Sequence, residues 1–583
     1  MAVPSYRNNK CKRKYSFFLL TYYLHTLVSQ IFGMKGIFIF SLFRSFNPVF
    51  IFIVGYLFLA DRQTIANPLT NSPAGKVREP SLNSKDVPET INVSKFKIIG
   101  NRVIPQADID AILKPYLYRP ISFAELLEVQ EAVTQLFIDR GYFTTGAYIP
   151  PQTMSDRTIE IEIIEGRISE IRILGLKKLN PEYIRSRIAI ASEPPVHRER
   201  LFEALQLLQL NPLVDKLSAE LSDGVDPGEN YLKLTVTEAD SRDVTLKVEN
   251  NGATSAGTLK GKIELEDRNF FGFGDTLRVG YGQTEGSRSL DRLEYLTPIG
   301  ARGTLFRFLH SRSDNQIIAE PFPPLDLESE NRDYNFTLIQ SAIQSPSTNL
   351  YFTLGFNYHQ SQFTLMDLGF PDLARGLDEE GRNTTSTLVF SQELSHRTTT
   401  KVIAAASQFS VGIDAFDSTI NTDAPDSQYF IWRGFTNYRQ VVGENSILNL
   451  KGIVQLSNDA LYSHEQFLIG GVSTVRGYSR DVARGDNGIL TSIALNQTVL
   501  QISDWDLDLI ISPFFDFGRV WNSDDLPTRA NTLASLGIET ELAIDDKINL
   551  SVAIGIPLFD DKLPEGNSLQ EKGIHFSLSV KPF

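Results

Sequence analysis

Cysteine is nearly absent from this chain of 583 residues: the only one is Cys11, close to the N-terminus. The body of the chain can therefore hold neither a disulfide framework nor a thiolate metal site. The sequence also lacks a G-x-S-x-G elbow, a P-loop and an H-E-x-x-H motif. Its 7 histidines are not spaced like metal ligands on one helix face. We therefore expect no enzyme, no metal site and no cofactor.

Positive charge and tryptophan are also scarce. The chain has 56 Lys and Arg against 70 Asp and Glu, a net charge of -14. This balance argues against nucleic acid as the main partner, because neutralising phosphates requires clustered Lys and Arg. Only 3 Trp occur, beside 38 Phe and 20 Tyr. That composition suits a protein made of many short amphipathic strands.

Long apolar runs occur only before residue 61, and each follows basic residues. The rest of the chain therefore has no ordinary transmembrane helix. A basic start, an apolar stretch and a small-residue site define a secretory signal. We predict that residues 1–66 are a signal or targeting region whose true start is Met34. The alternative is a pair of helices that anchor the chain in an inner membrane. Residues 67–91, rich in Pro, Ser and Asn, are predicted to be an exposed linker.

Two copies of one small α/β module are predicted to follow, over residues 92–166 and 167–240. In the first, Ser122 and Glu125 form a capping box that opens an amphipathic helix. A strand at 158–164 then alternates isoleucine with polar residues. The same order of strand, two helices and strands recurs about 75 residues later, which indicates a repeat.

Residues 121–152 carry a specific family resemblance, with the sequence ISFAELLEVQEAVTQLFIDRGYFTTGAYIPPQ. This stretch closely resembles the first polypeptide-transport-associated (POTRA) domain of two-partner secretion transporters. Such a domain can accept an unfolded client as an added strand at its exposed sheet edge. By analogy Tyr148 and Ile149 lie near that edge and are candidate client-binding residues. Ordinary packing of a short strand would explain each of them equally well.

Alternating apolar and polar residues dominate residues 243–583, and we predict an antiparallel transmembrane β-barrel there. A soluble sandwich is the alternative, but the many aromatics on the apolar faces favour a membrane barrel. At roughly 20–22 residues per strand with its connection, the stretch has room for about 16 strands. The pattern alone also permits 14 or 18, whereas the family resemblance implies 16. The expected fold is therefore α+β periplasmic modules followed by a large barrel.

Two further motifs resemble those of the wider outer-membrane assembly and secretion superfamily. One is Val475-Arg476-Gly477-Tyr478, and the other lies at Phe514 to Gly518. The resemblance implies that a long loop folds back into the barrel lumen, where Arg476 pairs with Asp516. Asp516 lies opposite the apolar face of its predicted strand, which independently turns it toward the lumen. A solvated loop arginine is the simpler alternative.

The resemblance implies an outer-membrane pore that captures an unfolded exoprotein through periplasmic POTRA domains and secretes it through the barrel, gated by the lumenal loop. The expected partners are that client, outer-membrane lipid and, during biogenesis, the barrel assembly machinery. The alternatives are a barrel-assembly insertase or import pore of the same superfamily and, less favoured, a passive porin. Family members commonly carry a plug helix before the first module. Residues 67–91 lack a helical pattern, so we do not expect a plug here.

Overall fold

The computed structural model describes residues 90–153, 156–319, 323–366, 368–369, 374–524, 526–528, 530–560 and 567–582. The predicted signal region, its start at Met34 and nearly all of the predicted linker lie outside these residues. Ile91, at the end of that linker, already belongs to a short strand and packs against the first module. Within the described residues, no helix is both long and apolar enough to cross a membrane.

The first module is a three-stranded sheet covered by two helices. Its elements are Ile91–Asn92 (β1), Lys95–Ile99 (β2), Gln106–Leu113 (α1), Pro120–Ile121 (β3), Phe123–Asp139 (α2), Gly146–Tyr148 (β4) and Thr158–Ile164 (β5). Sheet order is β2-β5-β4, with β2 parallel to β5 and β4 antiparallel to it. The alternating isoleucines of β5 point into the core, where Ile161 and Phe137 are fully buried.

The predicted capping box at the start of α2 is present. The Glu125 backbone N–H donates to Ser122 Oγ (3.2 Å), and the Ser122 N–H donates to the Glu125 carboxylate (2.7 Å). That second bond, followed by the Arg119 guanidinium, lowers the pKa of Glu125 below its usual value. These contacts satisfy N–H groups that the first helical turn would otherwise leave unpaired.

The second module repeats the first. Its elements are Arg167–Leu174 (β6), Pro181–Ala191 (α3), Arg198–Gln209 (α4), Val214–Asp223 (β7) and Glu229–Glu238 (β8). The sheet order β6-β8-β7, again with the outer strands parallel and antiparallel to the central one, matches the first module. Leu232, Leu234 and Val236 of β8 point inward, as their alternation predicts. Because the two topologies are identical, the predicted repeat is a structural one.

Sixteen antiparallel strands close into a barrel. They are Arg242–Glu249 (β9), Lys260–Asp267 (β10), Thr276–Gln283 (β11), Ser287–Pro298 (β12), Thr304–Gln316 (β13), Leu327–Gln344 (β14), Thr348–Leu365 (β15), Arg382–Arg397 (β16), Lys401–Ile413 (β17), Phe430–Gly443 (β18), Ser446–Ser457 (β19), Asn487–Ile502 (β20), Leu507–Trp521 (β21), Thr532–Ile544 (β22), Ile548–Pro557 (β23) and Ile574–Val580 (β24). Strand β24 pairs with β9 and completes the ring. The predicted fold class is therefore confirmed.

The two faces of the barrel wall differ in polarity, as an interior closed off from lipid requires. Outward residues are apolar and exposed, for example Leu354 and Ile538. Inward residues of β16 are small and polar, including Asn383, Thr385 and Thr387, and they are buried. Backbone groups of each strand pair with both neighbours, so closure leaves no sheet edge facing lipid.

One long connection, residues 458–486, joins the end of β19 to the start of β20. It contains a short two-stranded ribbon, Phe467–Ile469 with Ala483–Gly485. Its residues hydrogen-bond to inward side chains of β16, β21 and β22, so the connection lies against the inner face of the barrel wall at these points. We call residues 458–486 the lumenal loop; its tip, residues 475–478, carries the Val-Arg-Gly-Tyr motif.

Candidate functional site at the lumenal loop

The structure brings Arg476 and Asp516 together at the tip of the lumenal loop. Arg476 Nε lies 2.7 Å from Asp516 Oδ2, and Nη2 lies 2.8 Å from Oδ1. The backbone N–H of Arg476 donates to the same carboxylate at 3.1 Å. Asp516 is wholly buried and the Arg476 residue is 8% exposed. The pair is therefore bidentate, charge-assisted and screened from bulk water.

Further groups on the barrel wall complete the arginine site. Arg476 Nη1 lies 2.7 Å from Glu539 Oε2, and Nη2 donates to Ser492 Oγ at 3.2 Å. Ser492 in turn donates to Asp516 Oδ1 at 2.6 Å. The guanidinium carbon lies 3.5 Å from the ring centroid of Phe514, a cation–π contact. Three neighbouring strands, β20, β21 and β22, thus converge on one side chain.

Gly477 allows the loop backbone to touch the barrel wall. Its φ is +94°, in the region that favours glycine. A Cβ at this position would lie 2.8 Å from the backbone carbon of Gly555 on β23. The Gly477 N–H donates to His575 Nε2 at 3.2 Å. Backbone meets backbone here, so any side chain at either glycine would separate the loop tip from the wall.

The remaining motif residues pack on both sides of the arginine. Val475 is wholly buried, and its Cγ2 would lie 3.1 Å from a Cβ built on Gly518. The Tyr478 hydroxyl lies 2.9 Å from both the Ala534 and the Phe559 carbonyl oxygens. Phe514 and Gly518, the predicted strand-motif residues, therefore each contact the loop tip from β21.

Four contributors were missed by sequence reasoning: Glu539, Ser492, Gly555 and His575. None belongs to a motif, and each lies in a strand whose alternation resembles that of its neighbours. One signal was available, because Gly537 and Gly555 both lie on the inward faces of consecutive strands, on the same faces as Ser535 and Ser551. Their pairing across the sheet, next to Phe514, forms the notch that receives the tip. Only the strand register shows that these positions lie side by side.

The predicted client-binding residues occupy a sheet edge of the first module. Strand β4 pairs with β5 alone among the described strands, and Tyr148 is 41% exposed. Ile149 instead packs against the module core. The Ala147 N–H is taken by the Thr134 hydroxyl of α2 at 2.9 Å. Helix α2 therefore covers part of this edge.

Comparison with known sequences decides the family. Residues 228–542, more than half of the chain, match the family described as haemolysin secretion/activation protein ShlB/FhaC/HecB. Residues 91–166 match the POTRA domain of ShlB type. The chain belongs to the haemolysin secretion/activation protein family. Like others in this family it is a two-partner secretion transporter of the outer membrane, with its POTRA domains in the periplasm.

Curated relatives in the haemolysin secretion/activation family are distant in sequence but similar in extent. The heme/hemopexin transporter protein HuxB of Haemophilus influenzae is 20% identical over 468 residues, 76% of this chain and 80% of HuxB. The outer membrane transporter CdiB of Escherichia coli O6:K15:H31 is 23% identical over 525 residues, 84% of this chain and 82% of CdiB.

Solved structures show how widely the fold is shared. CdiB from Escherichia coli has a TM-score of 0.65 at 19% identity, covering 86% of this chain and 92% of that chain. BamA from Haemophilus ducreyi lacking POTRA domains 1–3 has a TM-score of 0.51 at 14% identity, covering 84% and 100%. The fold alone therefore does not separate a secretion transporter from BamA, whereas the haemolysin secretion/activation family match does.

Proposed function

We propose that this transporter is gated by its lumenal loop, which closes the barrel while Arg476 is paired with Asp516 and moves aside for the client. The observation that carries the proposal is the buried, bidentate Arg476–Asp516 pair inside the lumen. The loop lies where a translocating chain would pass. The ionic contacts of its tip are all made by one side chain, so loss of that side chain removes every ion pair that holds the tip.

The energetic reason for a gate is the cost of separating this pair. Removing one partner of a buried ion pair typically costs about 3–5 kcal/mol, because the other charge is left uncompensated. Asp516 and Glu539 would then face each other without their shared cation. A resting pore is therefore held shut until contacts with the client offset this cost. Folding of the exoprotein outside the cell would supply net direction, because no nucleotide is available in the periplasm.

In the same proposal the POTRA domains capture the client before it reaches the barrel. The exposed side of Tyr148, at the free edge of β4, would receive an extended segment of the client, with Ile149 beside it. Because Thr134 already occupies the Ala147 N–H, an added strand would displace that bond or start beyond it. Outer-membrane lipid would contact the apolar outer wall, and the barrel assembly machinery would insert the chain.

Substitution of the loop arginine tests the gate. Arg476→Ala is expected to reduce secretion of the client at least tenfold, because an undocked tip leaves two carboxylates unpaired and has no defined position in the lumen. Arg484→Ala is the matched control: it removes an exposed arginine of the same loop. Client in the medium is measured by immunoblot, and outer-membrane amounts and heat-modifiability show that each barrel has assembled.

Secretion by these two variants distinguishes a gate from a purely structural contact. Loss of secretion in Arg476→Ala, with normal export in Arg484→Ala and equal barrel amounts, supports the gate. Normal export from well-assembled Arg476→Ala protein would contradict it and leave the pair a structural contact only.

A further inference from the structure

The lumenal loop contacts the barrel wall at a second place, which precedes its tip motif in the sequence. His464 of the loop stacks on His359 of β15, with ring centroids 3.8 Å apart and planes inclined by 25°. His464 Nε2 also lies 3.1 Å from the Thr385 hydroxyl of β16. The loop is therefore held at His464 as well as at its tip. We call the segment around His464 the outer limb of the loop; its contact with the wall is made mainly by two stacked imidazoles.

The stack borders a polar cavity of about 410 Å³, and its charged groups belong to two barrel strands and the lumenal loop. Asp333 of β14 accepts from His359 Nδ1 at 2.6 Å. Arg433 of β18 pairs with Glu465 of the loop at 2.9 Å. Strand β16 contributes only hydroxyls to this cavity, from Thr385 and Thr387.

Two tyrosines also lie beside the stack. The Tyr429 hydroxyl donates to Glu465 at 3.1 Å, and the Tyr462 ring stacks beside His464. Both phenols stay neutral over the range in which histidine titrates. They therefore add no charge that could balance a protonated imidazole.

The charge balance of this cavity accommodates one imidazolium but not two. Arg433 already neutralises Glu465, which leaves the Asp333 carboxylate to balance a proton on His359. A second proton, on His464, would lie on a ring stacked against the first and near Arg433. Among the residues that line the cavity, no third carboxylate remains for it. An imidazole in water, by contrast, takes up a proton near pH 6.5.

We propose that the His359–His464 stack is an acid-sensitive latch, which holds the outer limb of the lumenal loop at neutral pH and releases it in acid. Proton uptake favours the released loop, because only there can both imidazoles be solvated and charged. Docking therefore weakens as the pH falls below about 6.5, where a solvated imidazole takes up a proton. The latch deepens the proposed gate, but its existence does not depend on the gate being used for secretion.

The latch is tested by measuring the loop position directly as a function of pH. Spin labels are placed at Ser463→Cys in the loop and Glu285→Cys in the exposed turn between β11 and β12 of the full-length, detergent-purified protein, with Cys11 replaced by serine. Double electron–electron resonance at pH 7.5 and 5.0 is expected to show one distance population at pH 7.5 and a second one in acid. The ratio of released to docked loop populations should rise by up to about tenfold for each unit by which the pH falls, which is the slope expected when release is linked to uptake of one proton.

Histidine variants identify the group responsible. His464→Gln retains an amide to bond Thr385 but cannot become charged, so its distances should no longer change with pH. His396→Gln removes a histidine of β16 outside the stack and should leave the pH response intact. An unchanged distance distribution in the parent protein between pH 7.5 and 5.0 would overturn the proposal, as would a full response that persists in His464→Gln.

The measurement separates the latch from the gate. A pH-dependent loop position together with secretion that does not depend on Arg476 would retain the latch and reject the gate. A loop position that does not change with pH, together with loss of secretion in Arg476→Ala, would retain the gate and reject the latch.

Discussion

At the residue scale, a single guanidinium joins the loop tip to three inward side chains of the barrel: Asp516, Glu539 and Ser492. These contacts are unequal. Asp516 is fully buried and binds the guanidinium through both oxygens, whereas the Glu539 side chain is 27% exposed and binds it through one. Solvent screens the second pair more than the first, so Asp516 should contribute most of the attraction.

This inequality predicts a ranking of carboxylate variants. Asp516→Asn keeps the shape of the acceptor but loses its charge, and should weaken docking of the tip by about 1–3 kcal/mol. Glu539→Gln should weaken it by about 0.5 kcal/mol. Conductance of the purified protein in planar bilayers measures docking, because a loosened loop raises the frequency of open events. Equal opening frequencies in the two variants, or more opening in Glu539→Gln, would contradict the ranking.

The sequence predicts this site only in part, and the reason is physical. Arg476, Gly477 and Asp516 could be named because they lie in two short motifs that resemble those of the outer-membrane assembly and secretion superfamily. His575 and Gly555 could not be named, because they reach the tip through strand register. Register is set by pairing of the whole sheet, and a shift of one residue would turn each of them to the other face. His464 and His359 are 105 residues apart by number and meet only when the loop enters the barrel.

At the scale of elements, local patterns predict the POTRA domains well. The capping box fixes the start of α2, and alternating isoleucines fix the inward face of β5, because both signals act within one turn or one strand. Coverage of the β4 edge by α2 was not predicted. It depends on the Thr134 hydroxyl reaching across the domain to the Ala147 N–H.

Client capture is predicted to depend on the exposed tyrosine at that edge. Tyr148→Ser should lower affinity for the client's N-terminal segment about fivefold, the effect of losing roughly 1 kcal/mol of apolar contact. Tyr118→Ser is the control, because Tyr118 is an exposed tyrosine of the same domain away from β4. Binding to the purified transporter is followed by fluorescence anisotropy of the labelled segment. Equal losses in both variants would remove Tyr148 from the proposed capture site.

At the scale of the whole molecule, the wall of the barrel and its loop have different roles. Sixteen strands close on one another and leave no sheet edge facing lipid, without any contribution from the loop. The loop instead occupies the lumen and touches the wall on two sides, at β21–β23 through its tip and at β15–β16 through His464. A passive porin would have no need for this arrangement together with tandem POTRA domains.

Deletion of the gene should therefore change the secreted proteins selectively. One or a few large exoproteins are expected to disappear from the medium, while other outer-membrane barrels stay at wild-type amounts. Quantitative proteomics of medium and outer membrane compares the two strains. General depletion of barrels would indicate an assembly factor instead, and unchanged protein in both fractions while candidate exoproteins are expressed would favour a porin.

The most direct test of the central claim is a reversible cross-link between the loop tip and the wall. In Val475→Cys/Gly518→Cys, the introduced Sγ at 475 would take the place of Val475 Cγ2, which is 3.1 Å from a Cβ built on Gly518. That separation suits a disulfide, where a sulfur lies about 3 Å from the opposite Cβ. The account predicts that the oxidised protein secretes no client, that reductant restores secretion, and that each single variant secretes under both conditions. Full secretion by the oxidised, fully cross-linked protein would contradict the account, because the client would then pass without the loop tip leaving the wall.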